Sequence, residues 1–304
     1  MVNVMDIPEE EFVYPGTRAC AGCGMALIYR IALKALGSNT IITVPASCLT
    51  VLHGMQGFCT TKVSVYHTPF ATTGAAASGI LASLEDKGLS DEITVLAFAG
   101  DGGTTDIGIQ ALSGAAERNT NFIYACYDNE AYMNTGVQRS GSTPLGVQTT
   151  TTPQGKMVHK KNMPKILEAH RIPYVATANA SYPLDLYEKF KRAKEIKGTK
   201  YIHILSPCPP GWGYEPKNTI LIGRLANETG FWHLYEVING KFELSRPSRK
   251  YLDISKRKPI TEYLKIQKRF KSIDEKILKI YREYVIDIWK DIQKRLENQP
   301  AQIV

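Results

Sequence analysis

The chain has 304 residues, enough to bury a large core as one big α/β domain or two smaller ones. Its 43% hydrophobic and 22% charged residues are ordinary for a soluble globular protein. The net charge of +8 is uneven, since residues 249–297 hold 15 Lys or Arg against 8 Asp or Glu, a local +7. Such a face can steer an acidic partner, but a solvated helix surface explains it more simply, and without nucleic-acid motifs no nucleic-acid partner is expected. No apolar run approaches the roughly 18 residues of a membrane span, and the acidic start "MVNVMDIPEEEF" is not an export signal. A cytoplasmic location and no membrane contact are therefore expected.

In chain order, "GMALIYRIALKALG" (24–37) places apolar residues at helical spacing and stops on Gly37. "TIITVP" (40–45) reads as a buried strand whose exit puts Cys48 in a loop. "TGAAASGILASLEDKG" (73–88) is a small-residue helix, and "EITVLAFAGDGG" (92–103) is the clearest strand-to-loop transition. A helix over "DIGIQALSGAAERN" follows, then "NFIYACYDNEAYMNTG", a strand running into a polar loop. Later come "RIPYVATANA" as strand, "PLDLYEKFKRAKEIKG" as helix and "KYIHILSPCPPGWG" as a strand ending at Cys208.

This alternation predicts a mainly parallel sheet with helices on both faces, with ligands beyond the carboxyl ends of the strands, where Asp101, Asn129 and Cys208 fall. Residues 1–248 would form this α/β unit, and 249–304 a basic helical extension. In that extension Ile273, Ile277, Ile280, Tyr284, Ile288, Ile292 and Leu296 recur at three- and four-residue steps, as on one face of a long helix.

Two groups of residues carry chemistry. "RACAGCGMA" sets Cys20 and Cys23 in a CxxC, and the six cysteines of a chain without an export signal are a poor disulfide framework. From the residues alone zinc, an iron–sulfur cluster and a redox dithiol all stay open, with zinc slightly ahead. A thioredoxin-type dithiol would need the CxxC to open a helix after a strand, whereas Pro-Gly and a loop precede it here. Cys126, inside an apolar strand, reads as a small buried hydrophobe, and Cys59 as structural.

The second group is "GDGG". Glycine lets a diphosphate approach backbone N–H groups, and aspartate suits a hard divalent cation. A lone GDG is more often an ordinary turn. Here Asn129 follows Gly102 after 26 intervening residues, so GDG-x26-N supplies a second oxygen ligand from the next strand's exit, as Mg²⁺ requires.

That spacing is the thiamine diphosphate fingerprint, and the stretch from "GDGGTTDIGIQ" to "AYMNTGVQRSGSTP" closely resembles the thiamine-binding (beta) subunit of 2-oxoacid:ferredoxin oxidoreductases, most of all the pyruvate type. The likeness continues through "SPCPPGW", "TGFWHLYEVINGKFEL" and "ITEYLKIQKRFKSI". It implies that Asp101 and Asn129 give side-chain oxygens to Mg²⁺ and Ala131 its carbonyl, while Gly102 and Gly103 lie at the diphosphate. Asn134 would polarise the substrate carbonyl, with Thr135 a weaker candidate; taken alone, "NTG" reads as an Asx-turn. His67 is read as structural, with a contact to the diphosphate as the alternative.

The resemblance also assigns Cys20, Cys23, Cys48 and Cys208 to one [4Fe–4S] cluster. It implies decarboxylation of a 2-oxoacid, transfer of the acyl group to coenzyme A, and single electrons passed to ferredoxin through gamma and delta subunits. Neither Glu117 nor Glu130 stands out as the glutamate that serves the thiamine pyrimidine, so that group and the substrate clamp are expected from an alpha subunit. A non-redox thiamine decarboxylase or synthase would need a much longer chain, and a zinc-stapled binding module would leave GDG-x26-N accidental.

Overall fold

The computed structural model describes residues 3–54 and 59–298. Among the described residues eight strands form one sheet in the order β2-β1-β3-β4-β6-β5-β7-β8. They are β1 (Thr40–Pro45), β2 (Ser64–Thr68), β3 (Thr94–Gly100), β4 (Ile123–Asp128), β5 (Tyr174–Asn179), β6 (Lys200–Leu205), β7 (Tyr235–Ile238) and β8 (Lys241–Leu244). All pairings from β2 to β5 are parallel, and β7 and β8 add an antiparallel edge. The expected mainly parallel α/β architecture is the one observed.

Because successive strand side chains point to opposite faces, each central strand feeds two cores. In β3, Val95, Ala97 and Ala99 enter one cluster and Leu96 and Phe98 the other; in β4, Tyr124 and Cys126 part from Ile123, Ala125 and Tyr127 in the same way. Such strands are apolar throughout, as parallel strands covered on both faces must be. Helices Gly24–Leu36 and Pro183–Glu195 cover one face. Thr73–Asp86, Ile109–Glu117, Thr219–Glu228 and Glu275–Glu297 cover the other. Cys126 is fully buried, as its apolar strand implied, whereas Cys59 is exposed and belongs to neither core.

Three local expectations need correction. Cys48 does not sit in a loop but begins a short helix, Cys48–His53, after an extended Ser47. The glycines after β3 do not form an open loop: Gly102–Asp106 is a turn of π-helix leading into Ile109–Glu117. In the C-terminal helix, Glu275–Glu297, the deepest residues are Tyr281, Val285, Trp289 and Ile292, with Ile277, Tyr284, Ile288 and Leu296 flanking them; Ile273 precedes the helix, and Ile280 is not part of this core. Large aromatic rings remove the most surface from water, so they take the centre of the contact and the isoleucines its margins.

Residues 249–298 also give Tyr251, Tyr263, Leu264, Phe270 and Trp289 to the core shared with β7 and β8. No helix among the described residues is long and apolar enough to cross a membrane.

Candidate cofactor and metal site

Four adjacent strands, β1, β3, β4 and β6, end near one level, with Gly100 paired to Tyr127 and Asp128 to Leu205. Cys48, Asp101, Asn129 and Cys208 therefore leave the sheet side by side. β2 lies on one side of β1 and β3 on the other, so the chain reverses direction there, which opens a crevice between the departing loops. A cleft of about 60 Å³ occupies it, lined by Ser47, Cys48, Asp101, Gly102, Gly103, Asn129, Ala131, Asn134 and Thr135 among others.

The three groups expected to hold a cation meet in this cleft. The side-chain amide of Asn129 lies 2.9 Å from both Asp101 Oδ1 and the Ala131 carbonyl oxygen. With its nitrogen turned toward them, the amide donates to both. With its oxygen turned toward them, three oxygens converge with no proton between, an arrangement that a divalent cation satisfies. Asp101 Oδ2 is already engaged by the Ser140 hydroxyl, which donates to it at 2.5 Å, leaving Oδ1 for the shared position. Burial, together with the nearby Asp128 and Glu130 carboxylates, holds Asp101 well above the usual carboxylate range, so a bound cation would lower its free energy directly.

The backbone is shaped for a close approach. A Cβ at Gly102 would stand 2.4 Å from the Tyr132 ring, so no larger residue fits there without moving the ring. Gly102 and Gly103 begin the helical run after β3, where the first N–H groups lack acceptors within the helix and favour an anion. Two hydroxyls lining the cleft, Ser47 Oγ and Tyr127 OH, are buried without a hydrogen-bond partner among the described residues. Burial, with Cys48 nearby, holds the Tyr127 phenol well above its ordinary range; Ser47 offsets this only in part, and the two hydroxyls lack bonding geometry. Buried polar atoms left open at such a place suit a polar ligand.

Asn134 is exposed on the lip of the cleft. The turn beneath it is closed by Thr135, whose hydroxyl donates to Gln138 Oε1, and by Gln138 Nε2, which donates to the Thr135 carbonyl at 2.9 Å. His67 is exposed on the edge strand β2, its Nδ1 3.5 Å from Thr50 Oγ1. It does not line the cleft.

The cysteine region adjoins the same cleft through Cys48. The CxxC segment is fastened to the β6 exit, where Gly24 N–H donates to the Pro207 carbonyl at 3.2 Å, and to the start of the Thr219–Glu228 helix, where Thr219 Oγ1 donates to the Gly22 carbonyl at 2.7 Å. Burial pushes the Cys48 thiol up to about 12, with added repulsion from Cys23 and Cys20. Cys208 is likewise pushed up to about 12 by burial and by Cys23, Cys48 and Cys20. Burial also raises Cys23, and Cys20 adds to that rise. Cys23, Cys48 and Cys208 thus lie near one another and near Cys20, in surroundings that disfavour their bare thiolates and that a cation would reverse. Among the described residues no three His, Cys, Asp or Glu gather as around a single ion. A four-iron cubane instead spreads its thiolates, one to each iron.

Met133 joins the two regions. It lines the cleft, and a Cβ at Gly211 would stand 2.1 Å from its sulfur and 3.3 Å from Cys208 Sγ.

Several contributors carry no sequence motif. Asp106 accepts from Tyr132 OH at 2.8 Å and from Gly141 N–H at 2.9 Å, closing the floor under residues 132–141. Asp128 bonds His203 Nε2 at 2.8 Å. Burial pushes Asp128 up, but Lys160 and His203 outweigh that and leave it below its ordinary range. Glu130 is wholly buried, so it cannot face a cofactor's outer ring. Glu117 is exposed at the far end of its helix. A larger cavity of about 580 Å³ opens between residues 159–165 and the C-terminal helix, but it contains none of the motif residues. The chemistry converges on the smaller cleft.

Fold and cleft together define a thiamine diphosphate-binding protein, and residues 46–204 match the family described as thiamine pyrophosphate enzyme, C-terminal TPP binding domain. The pyruvate synthase subunit PorB of Methanothermobacter thermautotrophicus is 50% identical over 295 residues, covering 95% of this chain and 100% of that one. The ketoisovalerate oxidoreductase subunit VorB of Pyrococcus abyssi is 44% identical, covering 96% of each. A solved 2-oxoglutarate:ferredoxin oxidoreductase from Magnetococcus marinus aligns at a TM-score of 0.57 with 27% identity, over 65% of this chain and 67% of that one. The chain belongs to the family of PorB and VorB subunits, and it is a 2-oxoacid oxidoreductase subunit.

Proposed function

We propose that this chain is the beta subunit of a coenzyme A-acylating pyruvate:ferredoxin oxidoreductase, holding thiamine diphosphate, Mg²⁺ and one [4Fe–4S] cluster. The observation that carries the reading is the position of Cys48, which lines the cleft of Asp101, Gly102 and Asn129 and shares its electrostatic surroundings with Cys20 and Cys23. An electron released at the cofactor then has its first carrier beside it.

In this reading Asp101, Asn129 and the Ala131 carbonyl hold Mg²⁺, and the N–H groups of Gly102 and Gly103 receive the diphosphate. Bound thiamine diphosphate supplies the electron sink that lets CO₂ leave a 2-oxoacid. Asn134 presents its amide from the lip, where it can donate to the substrate carbonyl, with Thr135 next to it. Cys20, Cys23, Cys48 and Cys208 hold the cluster.

A cleft of about 60 Å³ encloses only part of a cofactor, since sites that bury most of a ligand span roughly 300–1,000 Å³. The remaining wall, including the glutamate for the pyrimidine and the clamp for the substrate carboxylate, is assigned to an alpha subunit. Gamma and delta subunits with further clusters would lead the electrons to ferredoxin.

Pyruvate is favoured by the 50% identity to PorB, and the 44% identity to VorB makes 2-oxoisovalerate the second reading. The test is anaerobic co-purification with the partner subunits, followed by coenzyme A-dependent dye reduction with pyruvate, 2-oxoisovalerate, 2-oxoglutarate and oxalate. Pyruvate is expected to give the highest kcat/KM. Faster turnover of 2-oxoisovalerate would reassign the substrate, and no activity with any of them despite bound thiamine and cluster would overturn the reaction.

A further inference from the structure

Glu130 stands between two of the proposed cation ligands, and its backbone has φ +67°, in the left-handed region that a side-chain-bearing residue seldom occupies. A conformation of this kind persists where surrounding contacts over-determine it, and such positions gather at functional sites. Here the contacts are explicit. The Glu130 N–H donates to Asp128 Oδ1 at 2.9 Å, and its carbonyl accepts from Thr143 Oγ1 at 2.7 Å. Lys160 Nζ donates to Oε1 at 2.9 Å, and Arg269 Nη2 lies 2.6 Å from Oε2. The Arg269 contact is an ion pair without an aligned N–H, since Oε2 has no directed donor.

The two cations come from distant parts of the chain and are themselves held. Arg269 is 5% exposed, lies 3.7 Å over the Trp212 ring and donates from Nε to Gln267 Oε1 at 2.9 Å. Trp212 in turn donates its indole N–H to the Asn129 carbonyl at 2.7 Å. Lys160 lies 4.9 Å from the Trp232 ring. Three consecutive residues are therefore fixed from behind: Asn129 through its carbonyl, Glu130 through its N–H, carbonyl and Oε1 with Arg269 paired to Oε2, and Ala131 by continuity.

We infer that Glu130, held in left-handed backbone by Lys160 and Arg269, is a positioning residue that aims the Asn129 side chain and the Ala131 carbonyl at one cation. The geometric reason is direct. In extended backbone the side chain of one residue stands out of the strand plane while the carbonyl two residues on lies in it, so the two diverge; with left-handed Glu130 between them, the Asn129 amide instead lies 2.9 Å from the Ala131 carbonyl oxygen and 2.9 Å from Asp101 Oδ1. Glu130 does not touch the cation or the substrate, so its effect is on cation affinity. This inference rests on the Mg²⁺ and thiamine diphosphate reading above.

The test uses the full complex with Glu130→Gln, with Arg269→Met, and with the double variant, which removes one buried charge of each sign and so guards against simple misfolding. Mg²⁺ dissociation constants are measured by titration in the presence of thiamine diphosphate, and Mn²⁺ is substituted to read ligand geometry by electron paramagnetic resonance. Each variant is expected to weaken Mg²⁺ by about tenfold or more, the effect typical of removing a group that orients a metal ligand. Saturating Mg²⁺ should restore most of kcat, and Arg269→Lys should bind more tightly than Arg269→Met. Wild-type Mg²⁺ affinity and an unchanged Mn²⁺ spectrum in folded variants would overturn the positioning role while leaving the cofactor assignment standing. Absence of Mg²⁺-dependent thiamine diphosphate binding in the wild type would overturn both.

Discussion

Buried cations and histidines around the cleft act by fixing backbone. Lys156, 2% exposed, donates to the carbonyls of Thr143 at 2.6 Å and of Ser140 and Gly141 at 3.3 Å, so it stiffens the loop whose Ser140 holds Asp101. None of this was legible in the sequence: Lys156 and Lys160 lie in stretches without a motif, and Arg269, although inside the "ITEYLKIQKRFKSI" likeness, has no local signal there and meets Glu130 only after folding. The motif residues themselves were legible because strand exits are fixed by local pattern. His53 offers a test at this scale. It is wholly buried in the Cys48 helix, its Nε2 2.8 Å from Tyr29 OH and its Nδ1 without a partner among the described residues. Burial first, and the nearby His67 second, lower its pKa to about 4. The unfolded chain, titrating near 6.5, then binds more protons than the folded one between about pH 6.5 and 4. Stability from this group is complete above pH 6.5 and falls as the pH drops through that window, by ~3 kcal/mol at most. In denaturant melts across this range, His53→Gln should lose less stability on acidification than the parent. Parallel curves for the two proteins would contradict the assignment.

Among the elements, the strands and long helices followed their periodicity, and the failures fell where two elements meet. The six-residue helix Cys48–His53 is too short to show a period, and the π-helical turn Gly102–Asp106 follows from the site rather than from propensity. The C-terminal helix was foreseen, but its buried face was read about one position off, since a count of isoleucines passes over Tyr281 and Trp289. Trp289 anchors that helix: it is 1% exposed, donates its indole N–H to the Gly230 carbonyl at 2.8 Å and lies 4.4 Å beneath the Arg257 guanidinium. Replacing Trp289 with Ala should cost roughly 3–5 kcal/mol in urea unfolding, through lost burial, the cavity left behind and the lost bond. A cost below about 1 kcal/mol would mean the helix docks elsewhere.

For the molecule as a whole, the expected boundary at residue 248 has a physical test. Residues beyond it supply Tyr251, Tyr263, Phe270, Tyr281 and Trp289 to the core beneath β7 and β8, and also Arg269 to Glu130. A chain ending at Ser248 should therefore expose Phe231 and Tyr235 and elute from size exclusion as aggregate, whereas an independent unit would elute as a folded species with a cooperative thermal transition. Folding of that shortened chain would support 1–248 as a self-sufficient domain.

The strand order has a bearing on assembly in time. β6 is the single hydrogen-bonded bridge between β2-β1-β3-β4 and β5-β7-β8, although it is synthesised after β5. During synthesis Cys20, Cys23, Cys48, Asp101 and Asn129 have all emerged and can be in place while β5 still has no neighbour to pair with. Only when β6 slots between β4 and β5 does Cys208 arrive, so the cluster proposed on Cys20, Cys23, Cys48 and Cys208 would be the last part of the site to be completed. In the proposed cluster reading, loading of iron cannot precede closure of the sheet, and until closure both sheet halves carry an unpaired edge vulnerable to misassociation.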